Sequence, residues 1–239
     1  MRHVAKLQQL FLDSVFLATV HRVLKDYRVK VNEIFRSIQG ETTFQGVPSL
    51  FIRTTGCNLR CAWCDTRYAY DDGTDYTVEA LLNIVENYQC KYVVITGGEP
   101  LMQTEVPLLV ERLIKNGYKV LIETNGSLDI SILHPDSFKI VDIKCPGSAM
   151  AEKMHWQNID HLTAQDEIKF IIADREDYLW AKSIIESYKL PDRCAVLLSP
   201  AFNRLDPKAL AGWILADNLS VRLQLQIHKY IWGTEVRGV

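Results

Sequence analysis

The chain has 239 residues, 48% hydrophobic and 23% charged, and a net charge of −2. That is enough apolar material for one sizeable core, and it offers no basic field of the kind that draws nucleic acid. No apolar run is long enough to cross a bilayer, so no membrane association is expected.

Residues 1–26 read as a helical extension, with Leu7, Leu10, Phe11, Ser14, Leu17, Ala18 and Val20 near one face. It is a surface-packed extension, a stretch upstream of the true start, or a partner-binding or targeting segment. Residues 27–239 read as one domain. Strands are predicted at Val29–Phe35, Leu50–Thr54, Tyr92–Thr96, Lys119–Glu123, Phe138–Ile143, Glu167–Ile172, Ala195–Leu198 and Arg222–Ile227. Helices are predicted at Thr77–Tyr88, Thr104–Asn116, Glu176–Tyr188 and Pro207–Ala216. Thr77 and Asp206 suit helix N-caps, Pro207 suits a first helical position, and Asn116-Gly117 suits a helix stop.

Several strands are near-continuous apolar runs, as in Tyr92-Val93-Val94-Ile95, the pattern of parallel strands buried on both faces. Alternating strand and helix gives a parallel sheet with helices outside, curled by right-handed crossovers. The core strands number about six where a closed barrel needs eight, so a partial (β/α) TIM-like barrel is expected. Ligands bind such folds at the C-terminal strand ends. The distinctive residues fall there: the cysteine loop after Thr54, Gly97-Gly98-Glu99-Pro100 after Thr96, Thr124-Asn125-Gly126 after Glu123, Lys144 to Ser148 after Ile143, Ser199-Pro200 after Leu198, and His228-Lys229 after Ile227.

Cys57, Cys61 and Cys64 form a C-x3-C-x2-C loop with no fourth cysteine or histidine nearby. A cubane [4Fe–4S] cluster normally takes four thiolates, so three leave one iron open to a substrate or cofactor. Structural zinc prefers four ligands in paired knuckles, and no second knuckle is present. A disulfide framework does not suit a chain with an ordinary core, and clustered thiols that must stay reduced point to the cytoplasm. Cys90, Cys145 and Cys194 read as unligated core or loop thiols. Gly97-Gly98 alone would be a generic turn, and its place downstream of the cysteine loop gives it meaning.

The cysteine spacing with Gly97-Gly98-Glu99-Pro100 resembles the radical S-adenosylmethionine (SAM) enzymes, which cleave SAM at the open iron to a 5′-deoxyadenosyl radical. Gln39-Gly40-Glu41, Cys64-Asp65-Thr66, Asp142-Ile143-Lys144-Cys145-Pro146-Gly147-Ser148 and Gln226-Ile227-His228-Lys229 narrow this to a resemblance to the 7-carboxy-7-deazaguanine synthase family, over about Val29 to Trp232. Thr42 departs from it, standing where many relatives carry glycine. The resemblance implies a radical SAM type of partial barrel and conversion of 6-carboxy-5,6,7,8-tetrahydropterin to 7-carboxy-7-deazaguanine with loss of ammonia, within queuosine or deazapurine biosynthesis. It also implies regenerated SAM, assisting Mg²⁺, a flavodoxin- or ferredoxin-like electron donor and a homodimer.

By the same resemblance Cys57, Cys61 and Cys64 hold the cluster and Thr66 offers its hydroxyl to Mg²⁺, an ion that favours oxygen ligands. Gly97, Gly98, Glu99, Glu123, Asn125 and Ser148 face SAM. Gln39, Glu41, Arg53, Thr96 and His228 contact the pterin; Lys144 is either a SAM contact or an ion-pair member. Taken singly, Arg53 is a strand-end salt bridge, His228 a surface or satisfied core histidine and Thr66 a loop cap. Two competing functions share features of the chain: a glycyl-radical activating enzyme, which needs an open groove for a protein, and a non-catalytic iron–sulfur or zinc module.

Overall fold

A computed structural model describes residues 27–234 and 236–239, and the expected helix at 1–26 lies outside them. A nine-stranded sheet runs in the order β3-β1-β2-β4-β5-β6-β7-β8-β9. The strands are β1 (Arg28–Ile38), β2 (Pro48–Thr54), β3 (Thr74–Thr77), β4 (Tyr92–Gly97), β5 (Lys119–Thr124), β6 (Phe138–Ile143), β7 (Glu167–Ile172), β8 (Ala195–Pro200) and β9 (Arg222–Leu223). From β2 through β9 every pairing is parallel, while β1 pairs antiparallel with both β2 and β3. The expected open barrel of six full-length parallel strands is therefore present as β2, β4, β5, β6, β7 and β8.

Helices α1 (Val78–Tyr88), α2 (Val106–Lys115), α3 (Arg175–Tyr188) and α4 (Pro207–Ala216) follow the expected pattern. Three of the four starts, those of α1, α3 and α4, are capped by side chains. Thr77 accepts from the Ala80 amide, Asp174 from Asp177 and Asp206 from Lys208, with Pro207 in the first turn. Gly117, just past α2, takes φ +85°. Each cap satisfies an amide that a helix start leaves bare.

Two sequence expectations need correction. Thr74–Thr77 was not foreseen as a strand, because its polar sequence gains its pairing only from β1. The strand expected at Arg222–Ile227 stops at Leu223, and Ile227–Trp232 forms a short helix, α5. The chain turns because the Ile227 amide donates to the Gly40 carbonyl at 3.0 Å, which pulls it away from β8.

Strand periodicity of two then builds the interior. Outward residues such as Leu50, Ile52, Val93, Ile95, Val120 and Ile122 join the main core beneath the helices. Inward residues Phe51, Val94, Leu121 and Ile140 form a second, smaller apolar cluster. Two residues further along the same strands stand Arg53, Thr96, Glu123 and Asp142, with Lys169 on β7 opposite Asp142. The barrel interior is thus an apolar plug at one end and a polar layer toward the C-terminal strand ends.

The β1–β2 loop enters this interior. Phe44 packs edge-on against Phe138 with centroids 4.9 Å apart and tilts against Tyr92 at 5.9 Å. Thr43 donates its amide and hydroxyl to buried Glu167 on β7, and Gln45 reaches the Leu225 carbonyl at 2.9 Å. The loop thereby ties β1 to the far side of the sheet.

The same side of the barrel holds a buried ion pair, Lys139 Nζ to Asp166 Oδ1 at 3.4 Å. Asp166 also accepts from the Lys139 amide and from Thr163. Asp166→Ala strands a buried ammonium, so urea unfolding should show a loss of about 3–5 kcal/mol, with the apolar double variant losing less.

Candidate active site

A cavity of about 520 Å³ opens above the polar layer. Gln39, Glu41, Arg53, Cys57, Cys61, Cys64, Thr66, Thr96, Gly97, Gly98, Glu123, Asn125 and His228 all line it. These positions are scattered along the sequence, and the fold brings them to one chamber. Asp142, Lys144, Lys169 and Gln226 line it as well.

The cysteine loop is seated by close backbone contact. The Glu99 amide donates to Gly56 O at 2.7 Å and the Gly98 amide to Thr54 O at 3.2 Å. A Cβ on Gly98 would lie 2.0 Å from Gly56 O and 2.9 Å from the Cys57 Cβ, and one on Gly97 would meet Thr54 O at 2.4 Å. Only glycine permits this approach, and Gly97 at φ +149° also requires it. Within the loop Leu59 is buried, and Arg60 donates to the Cys57 and Leu59 carbonyls while lying 4.2 Å from the Tyr70 ring centroid.

The three loop thiols are half-buried, whereas Cys90, Cys145 and Cys194 are buried away from the cavity. Burial pushes the Cys57 and Cys61 thiols up, and Lys144 opposes that rise at Cys61. Among the described residues no three His, Cys, Asp or Glu side chains gather closely enough to hold a single metal ion. Three half-buried thiols lining one cavity suit a cluster with an open iron better than a four-ligand structural zinc site.

Thr66 makes no capping hydrogen bond, and its hydroxyl lies 3.6 Å from Cys64 Sγ on the cavity wall. Arg53 does form the strand-end salt bridge, with Nε 2.7 Å from Glu33 Oε1, while still lining the cavity. The Tyr68 hydroxyl donates to the same Glu33 oxygen. Burial lowers His228, so its imidazole is neutral near pH 7.

Glu123 accepts from Gln39 Nε2 and from Thr96 Oγ1, both at 2.9 Å. Glu41 accepts from Lys169 Nζ at 2.7 Å and from Gln226 Nε2 at 2.8 Å. Thr42 takes φ 66°, a strained choice for a β-branched residue, and its hydroxyl accepts from the Phe44 amide. The turn that glycine would make freely is thus preserved, and Glu41 still reaches the cavity. Gly40 packs directly on His228: a Cβ there would lie 2.0 Å from Nδ1. The two terminal motifs are therefore halves of one contact.

Glu99 and Ser148 stand behind the wall. Glu99 is fully buried and accepts from the Asn125 and Leu101 amides and the Thr124 hydroxyl, which oppose the rise that burial imposes on its carboxyl. It braces the glycine loop against β5. Ser148 donates to Cys145 O, and its own carbonyl accepts from Ala62 in the cysteine loop at 3.1 Å. Asn125 reaches that loop directly, donating to Asn58 Oδ1 at 3.0 Å. The sequence reading missed Asp142, Lys169 and Gln226 as cavity residues. Counting by twos from Phe138 and Ile140, or from Glu167, would have placed the first two inward.

The model of the Radical SAM superfamily matches residues 51–140. A 7-carboxy-7-deazaguanine synthase of Koribacter versatilis (strain Ellin345) is 42% identical over 226 residues, covering 88% of this chain and 100% of the relative. One from Chlorobaculum tepidum is 40% identical, covering 88% of this chain and 97% of that one. The chain belongs to the 7-carboxy-7-deazaguanine synthase family. The crystal structure of QueE from Escherichia coli superposes with a TM-score of 0.69 at 26% identity, over 83% of this chain and 93% of that one.

As a 7-carboxy-7-deazaguanine synthase family member the chain is a radical SAM enzyme, which implies a [4Fe–4S] cluster and SAM. The cavity fits both: open thiols stand beside a glycine loop whose backbone lines the chamber. Among the described residues no helix is long and apolar enough to cross a membrane. Gly98→Ala should force the cysteine loop outward. Iron and sulfide content after anaerobic reconstitution should then fall while far-UV circular dichroism stays unchanged.

Proposed function

We propose that this chain converts 6-carboxy-5,6,7,8-tetrahydropterin to 7-carboxy-7-deazaguanine and ammonia, serving queuosine or deazapurine biosynthesis in the cytoplasm. The reaction is redox-neutral: the product plus ammonia contains the atoms of the substrate. The observation that carries the reading is the polar layer itself, in which Gln39, Glu41, Arg53, Thr96, Glu123 and His228 share one chamber with the three loop cysteines. A chamber of about 520 Å³ also suits a small molecule better than a polypeptide loop, which favours this over the activating-enzyme reading.

When bound, the cluster and SAM supply one-electron hydrogen abstraction. The protein's part is to bind, orient and exclude water. Cys57, Cys61 and Cys64 hold the cluster. Backbone groups of Gly97 and Gly98, with Asn125, face SAM, and Glu99 and Ser148 keep those walls in place from behind. Glu41 and Gln39 offer acceptors and donors to the ring edge, and Glu123 supports Gln39 and Thr96. Arg53 can hold a carboxylate while bonded to Glu33, because a guanidinium has five N–H donors. Neutral His228 can donate or accept at the ring.

Thr66 would give its hydroxyl to Mg²⁺, with waters and the substrate carboxylate completing the shell. A flavodoxin- or ferredoxin-like protein would deliver the electron, and the working form would be a homodimer.

Anaerobic, reconstituted protein given reductant, SAM, Mg²⁺ and 6-carboxy-5,6,7,8-tetrahydropterin should form 7-carboxy-7-deazaguanine, read by mass spectrometry, and Cys61→Ala should form none. SAM cleavage without the deazaguanine would reject the pterin assignment. Thr66→Ala should raise the Mg²⁺ concentration needed for half-maximal turnover on the order of tenfold. An unchanged Mg²⁺ titration would remove the ion from Thr66.

A further inference from the structure

We propose that Lys169 is a positioning residue for the substrate: it holds Glu41 as an ionised, oriented acceptor for the adjacent N–H groups of a 2-amino-4-oxo-pyrimidine edge. The inference rests on the pterin reading of the cavity.

Lys169 occupies an inward position of β7, opposite Asp142 on β6. Its ammonium is nearly buried, with the side chain 11% exposed. A buried charge costs several kcal/mol unless it is paired. Its partners are Glu41 Oε2 at 2.7 Å and Asp142 Oδ2 at 3.7 Å. Glu41 lies 128 positions earlier in the chain and arrives from the β1–β2 loop. Its other oxygen takes Gln226 Nε2 at 2.8 Å. Each carboxylate oxygen therefore has one protein partner and retains lone-pair capacity on the same face of the cavity. A carboxylate held this way matches two neighbouring N–H donors, the amino group and ring N–H of such an edge.

The electrostatics require the lysine. Burial alone would raise Glu41, but the Lys169 ammonium leads the opposing effects and takes the carboxyl down to about 2. Gln226 assists from the C-terminal motif through its hydrogen bond. Asp142 and Glu123 face Lys169 and, with Glu41, hold its ammonium above the usual lysine range against burial. Lys144 on the same wall repels it but is engaged by Asp142 Oδ2 at 2.9 Å. Glu41 is thus ionised throughout the neutral range. Removing Lys169 takes away the largest effect that opposes burial and leaves the Gln226 hydrogen bond. Glu41 then takes up a proton, and one acceptor becomes a donor facing the N–H edge of the ligand.

The test uses anaerobically reconstituted holoenzyme with SAM and the fluorescent probe 6-carboxypterin, with dissociation constants measured from about pH 6 to about pH 8.5. Each variant is compared with wild type at the same pH, which cancels titration of the probe. Lys169→Met should weaken binding about tenfold or more at the acid end. The ratio should narrow as pH rises, because Glu41 regains its charge. Lys169→Arg should restore binding to within about threefold of wild type. Glu41→Gln added to Lys169→Met should cost little more, since the lysine acts through the glutamate. Lys169→Gln, which keeps a donor and loses the charge, should behave like the methionine variant and replaces it if a melting curve shows that variant unfolded. Wild-type affinity in the neutral variants at every pH, or losses for Lys169 and Glu41 that multiply independently, overturns the inference while leaving the pterin reading intact. No probe binding by wild type overturns both.

Discussion

The barrel interior must keep a set of charges out of bulk water and close to neutral. Glu41, Glu123, Asp142, Lys144 and Lys169 all face one cavity, three acids against two ammoniums, while Arg53 is matched by Glu33. No member is tolerable alone, because an unpaired buried charge costs several kcal/mol. The network accordingly draws on every strand from β5 to β7, with the β1–β2 loop and the segment before α5 completing it. Asp142 meets both ammoniums through the same oxygen, Oδ2, at 2.9 Å from Lys144 Nζ and 3.7 Å from Lys169 Nζ.

Backbone proximity does for the cysteine and glycine loops what charge does for the polar layer. The glycine loop after β4 lies so close to the cysteine loop after β2 that a single added carbon at Gly98 would overlap Gly56. Glu99 then locks the glycine loop to β5, and Ser148 reaches the cysteine loop from beyond β6. Residues outside the cavity lining therefore help to fix where the thiols stand. The segment Gly97 to Pro100 acts through its backbone and through a buried carboxylate that braces it.

The pairing of the two terminal motifs has an equally direct cause. Gly40 and His228 pack in van der Waals contact, and the Gly40 carbonyl accepts the first amide of α5. Lys229 then bonds Asp65 of the cysteine loop at 2.7 Å. Among the described residues the open sheet has no further strands to close it on this side. The β1–β2 loop and α5 bridge the gap instead, which is why cavity residues come from both ends of the domain.

Much of this was legible in sequence. Apolar runs of four or five residues, helix caps at Thr77 and Asp206, and polar clusters after each strand define a partial barrel and its functional rim, because these are local signals of hydrogen bonding and burial. The cysteine spacing with the Gly-Gly pair defined the cofactor end for the same reason. Asp142 and Lys169 were hidden because each reads as an ordinary charge in a buried strand, and only the curvature of the sheet turns them to one cavity. The polar strand Thr74–Thr77 and the early end of β9 depend on pairing partners distant in sequence, β1 and Gly40. The bracing role of Glu99 behind the cavity wall likewise follows from Thr124 and Asn125, 25 and 26 positions away. Sequence by itself determined the elements and the residue types that chemistry needs. Tertiary structure decided which charges neutralise one another, because electrostatic pairing depends on distance in space and not along the chain.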